Sequence, residues 1–295
     1  MPTAAMNRLP SWFRQELPDE ITLQNQRLLR QAGVNTVCVE AKCPNLSGCF
    51  QDSRVTFLIL GDICTRGCKF CAVKKSQAKS RLFLDGNEPL RVAEAIKKLG
   101  IRYAVITSVT RDDLIDGGAQ VFSETIRLIR QLNSGIKVEV LVPDFKGDSD
   151  ALKTVVGARP DCFAHNLETV KSLYPKIRPM ADYSLSLRIL KEAKQTNPGL
   201  ITKSSLMLGL GEEEAEVIGA MHDLRESSCD LLTLGQYLAP SGAHYPVQEF
   251  ISVGQFRSYR KIGMSLGFKN VFSAPLVRSS YQAEEIFKEM KICMT

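Results

Sequence analysis

Two triplets of closely spaced cysteines constrain this chain more than any other feature of its sequence. Six of the nine cysteines fall into the patterns C-x4-C-x5-C and C-x3-C-x2-C. The members are Cys38, Cys43 and Cys49, followed by Cys64, Cys68 and Cys71. Thiolates are soft ligands that suit zinc and iron–sulfur clusters. Cysteines usually bind all four irons of a 4Fe–4S cluster, so a triplet leaves one iron open to another ligand. The sequence therefore predicts two clusters, each with one position left for chemistry.

Structural zinc and disulfide bonds are the two alternatives for these cysteines. Zinc ribbons usually contain paired C-x2-C motifs, and only Cys68 and Cys71 have that spacing. Disulfides form in oxidising compartments, but the chain start has neither the basic segment nor the apolar run of a secretory signal. We therefore expect a cytoplasmic protein with reduced thiols. Three cysteines, Cys162, Cys229 and Cys293, stand alone, and we expect two small buried residues and a tail residue.

Length and composition are those of a globular protein with a full core. The chain has 295 residues, of which 44% are hydrophobic and 24% are charged. No segment approaches the roughly 18 consecutive apolar residues of a membrane-spanning helix, so we expect no membrane association. The net charge of +6 permits an acidic protein partner. No run of Lys and Arg with interleaved aromatic residues occurs, so we expect no nucleic-acid binding.

Strand-like and helix-like segments alternate along the chain after the first triplet, which we expect to lie in a loop. Apolar and β-branched runs predict six strands, at Arg54–Leu60, Tyr103–Thr107, Val138–Val142, Cys162–His165, Thr202–Leu208 and Leu231–Leu234. Val271–Ser273 is a further candidate. Apolar residues at helical spacing predict helices, at Asp19–Gln31, Pro89–Leu99, Val121–Leu132, Ala151–Val156, Tyr183–Lys194, Glu249–Gly267 and Gln282–Lys291. We predict an α/β fold, a partial (β/α)6 TIM-like barrel at residues 51–275. An N-terminal extension (1–50) and a C-terminal tail (276–295) flank it.

The second triplet, followed by an α/β body, resembles the radical S-adenosylmethionine (SAM) superfamily. The upstream triplet and the tail Arg278-Ser279-Ser280-Tyr281 resemble the lipoyl synthase family in particular. The resemblance covers the chain from about Gly33 to Tyr281. It implies a catalytic 4Fe–4S cluster on Cys64, Cys68 and Cys71, whose open iron binds the amino and carboxylate groups of SAM. It also implies an auxiliary 4Fe–4S cluster on Cys38, Cys43 and Cys49, completed by Ser280.

The resemblance implies an activity as well. Sulfur would enter at carbons 6 and 8 of an octanoyl chain that is amide-linked to a lysine of a lipoyl carrier domain or an H protein. Two SAM molecules would each yield a 5′-deoxyadenosyl radical, and the auxiliary cluster would donate the sulfur. The implied partners are this octanoylated carrier and an electron donor such as ferredoxin or flavodoxin. A sulfur-inserting radical enzyme acting on tRNA and a non-enzymatic iron–sulfur electron carrier are the rival functions.

Polar residues within or just after the predicted strands are candidates for the SAM and substrate pocket, because chemistry collects at the carboxyl ends of parallel strands. These candidates are Thr107, Asp112, Asp113, Glu139, Asn166, Glu168, Arg178 and Lys203. Glu139 lies inside an apolar strand, so an internal ion pair is an equal alternative. Lys203 also lies inside a predicted strand, so either a pocket role or an internal ion pair is open to it. From the sequence alone, Ser280 would cap the last helix rather than bind iron.

Two positions depart from the family pattern. Gln282 stands where the family usually has His, and Ile63 stands where it usually has Thr. Neither residue is an expected cluster ligand, so the implied ligand set is unchanged.

Overall fold

Ten strands form in the part of the chain that this computed structural model describes, residues 9–13, 17–76 and 83–292. In chain order they are β1 (Asn35–Thr36), β2 (Thr56–Ile59), β3 (Ile63–Cys64), β4 (Lys74–Lys75), β5 (Tyr103–Ser108), β6 (Lys137–Leu141), β7 (Cys162–Ala164), β8 (Ile201–Leu208), β9 (Leu231–Gln236) and β10 (Asn270–Ser273). Eight of them form one sheet in the order β1-β2-β5-β6-β7-β8-β9-β10. Strands β3 and β4 pair with each other. The spatial order of the sheet thus follows the chain order, as in a barrel that winds in one direction.

The helices of the described residues mostly lie between successive strands. They are α1 (Glu20–Gln31), α2 (Val37–Glu40), α3 (Leu46–Gln51), α4 (Glu88–Lys98), α5 (Ala119–Leu132), α6 (Ser149–Gly157), α7 (Tyr174–Ile177), α8 (Tyr183–Thr196), α9 (Glu214–Glu226), α10 (Val253–Ser265) and α11 (Ala283–Ile292). Side chains at the helix starts accept hydrogen bonds from the free backbone N–H groups of the first turn. The Asp19 side chain accepts a hydrogen bond from Thr22 N at the start of α1, and the Asp182 side chain accepts one from Leu185 N at the start of α8. None of these helices combines the length and the apolarity needed to span a membrane.

The predicted α/β fold with a partial TIM-like barrel is confirmed. All six predicted strands form, as β2 and β5 to β9, and each adjacent pair among them is parallel. The further candidate also forms, because β10 pairs in parallel with β9. The sheet stays open, since its end strands β1 and β10 are not neighbours.

The first cysteine triplet departs from the predicted loop. Cys38 lies on α2 and Cys49 lies on α3, while Cys43 lies in the turn between these helices. Each helix has at most six residues, too few for a repeating apolar pattern to reveal them. The Thr36 hydroxyl accepts a hydrogen bond from Val39 N at 3.3 Å and thereby caps α2. Cys38 and Cys49 are therefore held on short helices, and Cys43 is held in the turn that joins them.

The C-terminal helix closes the amino-terminal end of the barrel. Ile286 and Phe287 of α11 are buried in one cluster with Tyr103, Cys162 and residues at the starts of other strands. The rings of Tyr103 and Phe287 lie 5.5 Å apart between their centroids. Apolar side chains fill this end, and in barrels of this kind the chemistry collects at the opposite end, where the carboxyl ends of the strands meet.

Near the chain start, Phe13 anchors the N-terminal arm. Its side chain is buried, and its ring centroid lies 5.8 Å from that of Phe250. Cys162 and Cys229 are buried, as the sequence predicts, and Cys293 lies outside the described residues.

Candidate functional site

The loop of the second triplet lies at the carboxyl end of the barrel and is fixed to its neighbours by backbone hydrogen bonds. Thr65 N donates to Thr110 O at 2.9 Å. Lys69 N donates to Ile177 O, and Lys69 O accepts from Tyr245 N, both at 2.9 Å. The loop is therefore attached to three separate segments that follow strands of the barrel. Its cysteine positions are set by the barrel rather than by the loop alone.

A buried arginine gives this loop a second attachment. The Arg66 guanidinium binds Asp112 through Nε at 2.8 Å and Nη2 at 3.0 Å, and binds both oxygens of Asp144 at 2.6 Å. Burial alone would lower the pKa of Arg66, but the two carboxylates outweigh it and raise that pKa above its ordinary value. Two bidentate contacts hold one guanidinium, so the position of residue 66 within the loop is strongly specified.

A cavity of about 500 Å³ opens beside the second triplet. Its lining includes Cys64, Cys68 and Cys71 together with Thr107, Ser108, His165, Asn166, Glu168 and Arg178. Four polar atoms of these residues are buried and have no hydrogen-bond partner among the described residues: Ser108 Oγ, His165 Nε2, Asn166 Oδ1 and Arg178 Nε. Buried polar atoms are normally paired. A polar ligand in this cavity would supply the missing partners.

Hydrogen bonds to one another and to neighbouring groups orient the polar residues of the cavity. Asn166 Nδ2 donates to Glu168 Oε1 at 3.0 Å, and Arg178 Nη1 donates to Asn166 O at 3.1 Å. The Arg178 guanidinium also lies 5.0 Å from the ring centroid of Tyr174. His165 Nδ1 donates to Val142 O at 2.8 Å, which leaves Nε2 as an acceptor when the ring is neutral. Burial lowers the pKa of His165 to about 4, so the ring is neutral near pH 7.

Four predicted pocket residues are not brought into this cavity. Asp112 is paired with Arg66, and Asp113 binds Arg111 Nη2 at 2.8 Å, which lowers the pKa of Asp113. Both carboxylates thus form ion pairs with arginines and do not line the cavity. Glu139 and Lys203, with exposed fractions of 2% and 1%, bind each other at 2.8 Å inside the barrel. Tyr103 Oη donates to the second oxygen of Glu139 at 2.8 Å. The internal ion pair is therefore the arrangement that the structure shows for Glu139.

Replacing Lys203 with methionine is expected to lower the free energy of unfolding by about 3–5 kcal/mol, because it leaves the Glu139 charge buried without its partner. Denaturant unfolding of the purified protein measures this change. The double variant Glu139→Gln, Lys203→Met removes both charges and should recover most of the loss. A stable Lys203→Met variant with weakened SAM binding would instead place Lys203 in the cofactor pocket.

The first triplet lies at the wall between this cavity and a second one of about 460 Å³. Cys38 and Cys43 line both cavities, and Cys49 lines the second. Burial is the main cause that raises the pKa of Cys38 to about 12 and of Cys49 to about 11, and the neighbouring Cys43 adds to both. Buried thiols close to one another ionise only when a cation binds them. This donor set thus suits a metal centre.

The C-terminal tail brings Ser280 to this triplet. Ala274 N donates to Leu234 O at 3.2 Å, and Gln236 N donates to Pro275 O at 3.1 Å, so the tail runs beside β9. Asn45 Nδ2 then donates to Leu276 O at 2.6 Å. Ser280 lines both cavities together with Cys38 and Cys43. Helix α11 begins at Ala283, so Ser280 is not its N-cap, and its hydroxyl accepts a hydrogen bond from Thr56 Oγ1 at 2.7 Å instead.

No three His, Cys, Asp or Glu side chains within the described ranges are close enough together to hold a single metal ion. Each iron of a cubane cluster takes its own thiolate, so the cysteines of a cluster lie farther apart than the ligands of one ion. The three thiols of each triplet are a donor set that fits a 4Fe–4S cluster.

Comparison with known proteins identifies the family. Residues 58–224 match the model of the Radical SAM superfamily. A lipoyl synthase from Rubrobacter xylanophilus is 51% identical over 94% of this chain and 85% of its own length. One from Thermus thermophilus is 50% identical over 95% of this chain and 87% of its own length. The chain belongs to the lipoyl synthase family of radical SAM enzymes.

Two solved structures share the fold at low sequence identity. Methylornithine synthase is 15% identical, with a TM-score of 0.56 over 81% of this chain and 82% of its own. The FeFe-hydrogenase maturase HydG is 17% identical, with a TM-score of 0.58 over 80% of this chain and 54% of its own. These likenesses concern the barrel and not the reaction.

Membership in the lipoyl synthase family confirms the predicted cofactors, which are SAM and two 4Fe–4S clusters. It also confirms the predicted enzyme class, a radical SAM enzyme that inserts sulfur. Which residues bind each cofactor stays a prediction. The donor chemistry fits it, because one triplet adjoins a cavity with unpaired polar atoms and the other adjoins a serine.

Several residues beside the candidate site are not among those predicted from the sequence. Asp144 follows a predicted strand directly after Pro143, a position where polar residues are expected, but its partner Arg66 is far away in the chain. Thr56 is the one polar residue between Val55 and Leu60, and this break in an apolar strand was the available signal. No sequence pattern indicates that Gly235 matters. It matters because the C-terminal tail passes close to it, which only the three-dimensional fold shows.

Proposed function

We propose that this protein inserts two sulfur atoms, at carbons 6 and 8 of an octanoyl chain that is amide-linked to a lysine of a lipoyl carrier domain or an H protein. One observation carries the proposal: cysteines of both triplets and Ser280 line the same cavity. A radical centre and a sulfur donor must both reach the same substrate carbons, and a shared cavity provides this.

The apolar part of the cavity is suited to an aliphatic chain. Its lining includes Leu58, Val109, Leu206, Leu238 and Val277, together with cysteines of both triplets. These side chains would hold the octanoyl chain by burial and keep water away from the reacting carbons. A shielded cavity also limits side reactions, since a primary radical attacks any C–H bond that it meets.

Each part of the site would have a separate task. Cys64, Cys68 and Cys71 would hold the catalytic cluster, and Cys38, Cys43, Cys49 and Ser280 would hold the auxiliary one. When bound, SAM and the two clusters supply the 5′-deoxyadenosyl radical that removes hydrogen and the sulfide that takes its place.

The polar wall would orient SAM. Asn166, Glu168 and Arg178 present an amide, a carboxylate and a guanidinium to the cavity, and Thr107 also lines it. Carboxylate and amide groups bind hydroxyls, and guanidinium binds carboxylate. His165 Nε2 would accept a hydrogen bond from a donor group of the ligand. Asp112, Asp113, Glu139 and Lys203 would act indirectly, by holding the walls.

The mouth of the cavity is suited to an acidic protein. Lys42 and Lys75 are exposed, line the cavity and form no ion pair within the described part of the chain. An octanoylated carrier or a reductant such as ferredoxin or flavodoxin would approach these charges, and the net charge of +6 would assist the encounter.

The test is an anaerobic assay of the reconstituted protein with SAM, reductant and an octanoylated carrier domain. Mass spectrometry of the carrier is expected to show the lipoyl group, with 5′-deoxyadenosine formed at the same time. Absence of both products would overturn the proposal. Formation of 5′-deoxyadenosine without any sulfur on the carrier would assign the enzyme a different radical reaction.

A further inference from the structure

The strand that leads to the second triplet also contacts Ser280, the predicted fourth ligand of the auxiliary cluster. Thr56, the first residue of β2, donates from its hydroxyl to Ser280 Oγ at 2.7 Å. Thr56 is buried and lines both cavities. Cys38 lines the same two cavities. One side chain thus binds the tail beside the two cavities that Cys38 and Cys43 also line.

We propose that Thr56 is a positioning residue for the auxiliary cluster: its hydroxyl holds the Ser280 oxygen where it can bind the iron that the three thiols leave open. The inference rests on the proposed function, in which Ser280 completes that cluster. It assigns to Thr56 the role that outer partners have at many metal sites, where they orient the ligand without touching the metal.

The local contacts favour this role over simple packing. Thr56 provides the only hydrogen bond to the Ser280 side chain among the described residues. The adjacent residues of the strand, Val55 and Phe57, are buried and apolar, and a valine would fill the same volume at position 56. A hydroxyl in this strand is costly to bury without a partner, and the tail of the chain supplies one.

The anchor matters because Ser280 lies on a stretch of tail between two attachments, the backbone bonds upstream and the buried helix α11 downstream. The backbone bonds to β9 involve Ala274 and Pro275, and Asn45 binds Leu276. Beyond these, Tyr281 N donates to Arg278 O at 3.0 Å within the tail itself. The Thr56 hydroxyl therefore ties the tail to the barrel at the residue whose oxygen has to be placed.

The spectrum of the auxiliary cluster tests the proposal apart from lipoyl formation. Full-length protein with Cys64, Cys68 and Cys71 replaced by alanine would carry the auxiliary cluster alone, and Mössbauer spectroscopy would resolve the iron that has an oxygen ligand. In that background Thr56→Val is expected to remove or broaden this iron signal, while Thr56→Ser retains it. An identical signal in Thr56→Val would overturn the proposal. This comparison stays valid even if the unmodified protein forms no lipoyl product.

A double-mutant cycle tests whether Thr56 acts through Ser280. In the otherwise native enzyme, Thr56→Val should reduce sulfur insertion about 10–100-fold, as the loss of an outer partner does at metal sites, and leave SAM cleavage unchanged. In a Ser280→Ala background the same change should have no further effect on the auxiliary cluster or on sulfur insertion. A full additional loss in that background would overturn the proposal. Thr233→Val is the control, because Thr233 is buried and lines neither cavity, and its hydroxyl makes a weak contact to Ser204 O at 3.5 Å.

Discussion

Replacing Cys68 with alanine is expected to abolish both SAM cleavage and sulfur insertion, whereas replacing Cys43 with alanine should abolish sulfur insertion and spare SAM cleavage. Cys68 adjoins the polar wall with Asn166 and Arg178, where SAM is proposed to bind. Cys43 lies at the boundary of the two cavities, beside Ser280. Each variant loses one thiolate of one cluster, so each should lose the function of that cluster alone. Parallel assays of 5′-deoxyadenosine and of the lipoyl carrier measure the two functions.

Iron content provides a second reading of the same variants. The native chain should bind about eight irons and each variant about four, because each retains one complete triplet. Cys229→Ala is the matched control, since Cys229 is buried in the core and lines neither cavity. It should keep both clusters and both activities. Equal loss of SAM cleavage in the Cys43 and Cys68 variants would contradict the division of tasks.

Replacing Gly235 with alanine is expected to abolish sulfur insertion although residue 235 touches no predicted ligand. A Cβ atom on residue 235 would lie 1.9 Å from the carbonyl oxygen of Val277 and 2.8 Å from its carbon. Both are backbone atoms, so the tail has to move away from β9. That movement displaces Arg278 and Ser280 from the first triplet. SAM cleavage should persist, because the second triplet is attached to other segments, and the carrier assay distinguishes the two effects.

The control for this variant is Gly219→Ala. Gly219 lies in α9, where an added Cβ meets nothing within 4 Å. This substitution should raise the helix stability by roughly 0.5–1 kcal/mol and leave both activities intact. Gly235→Ala should instead lower the free energy of unfolding by about 1–3 kcal/mol, as overpacking does. Normal sulfur insertion by Gly235→Ala would mean that the tail position is not needed for the auxiliary centre.

The barrel could be predicted because its signals are local. The six predicted strands, β2 and β5 to β9, are apolar or β-branched runs with helical segments between them, and this alternation is typical of parallel sheets. The short helices α2 and α3 could not be predicted, since a helix of four to six residues has no full apolar period. Their stability depends on caps such as Thr36 and on packing against the barrel.

The residues of the site were predicted less evenly than the strands. The cysteines carry their chemistry in their spacing, and the structure places each triplet beside a cavity. The sequence around a charged residue does not show whether its side chain lines a pocket or forms an ion pair. Asp112 and Glu139 were candidates for the pocket, but each binds a cation from a distant segment, Arg66 and Lys203 respectively. Pairings across 46 and 64 residues of chain depend on the three-dimensional fold, which the sequence pattern leaves open.

The central claim is that the auxiliary cluster gives up its sulfide to the substrate held in the shared cavity. It is tested most directly by rebuilding the clusters with isotopically heavy sulfide, removing free sulfide, and running one turnover with an octanoylated carrier. Mass spectrometry of the lipoyl product should then show heavy sulfur, and the protein should lose acid-labile sulfide in proportion to the product. A product that contains only light sulfur, formed by protein whose heavy sulfide content stays unchanged, would contradict the account.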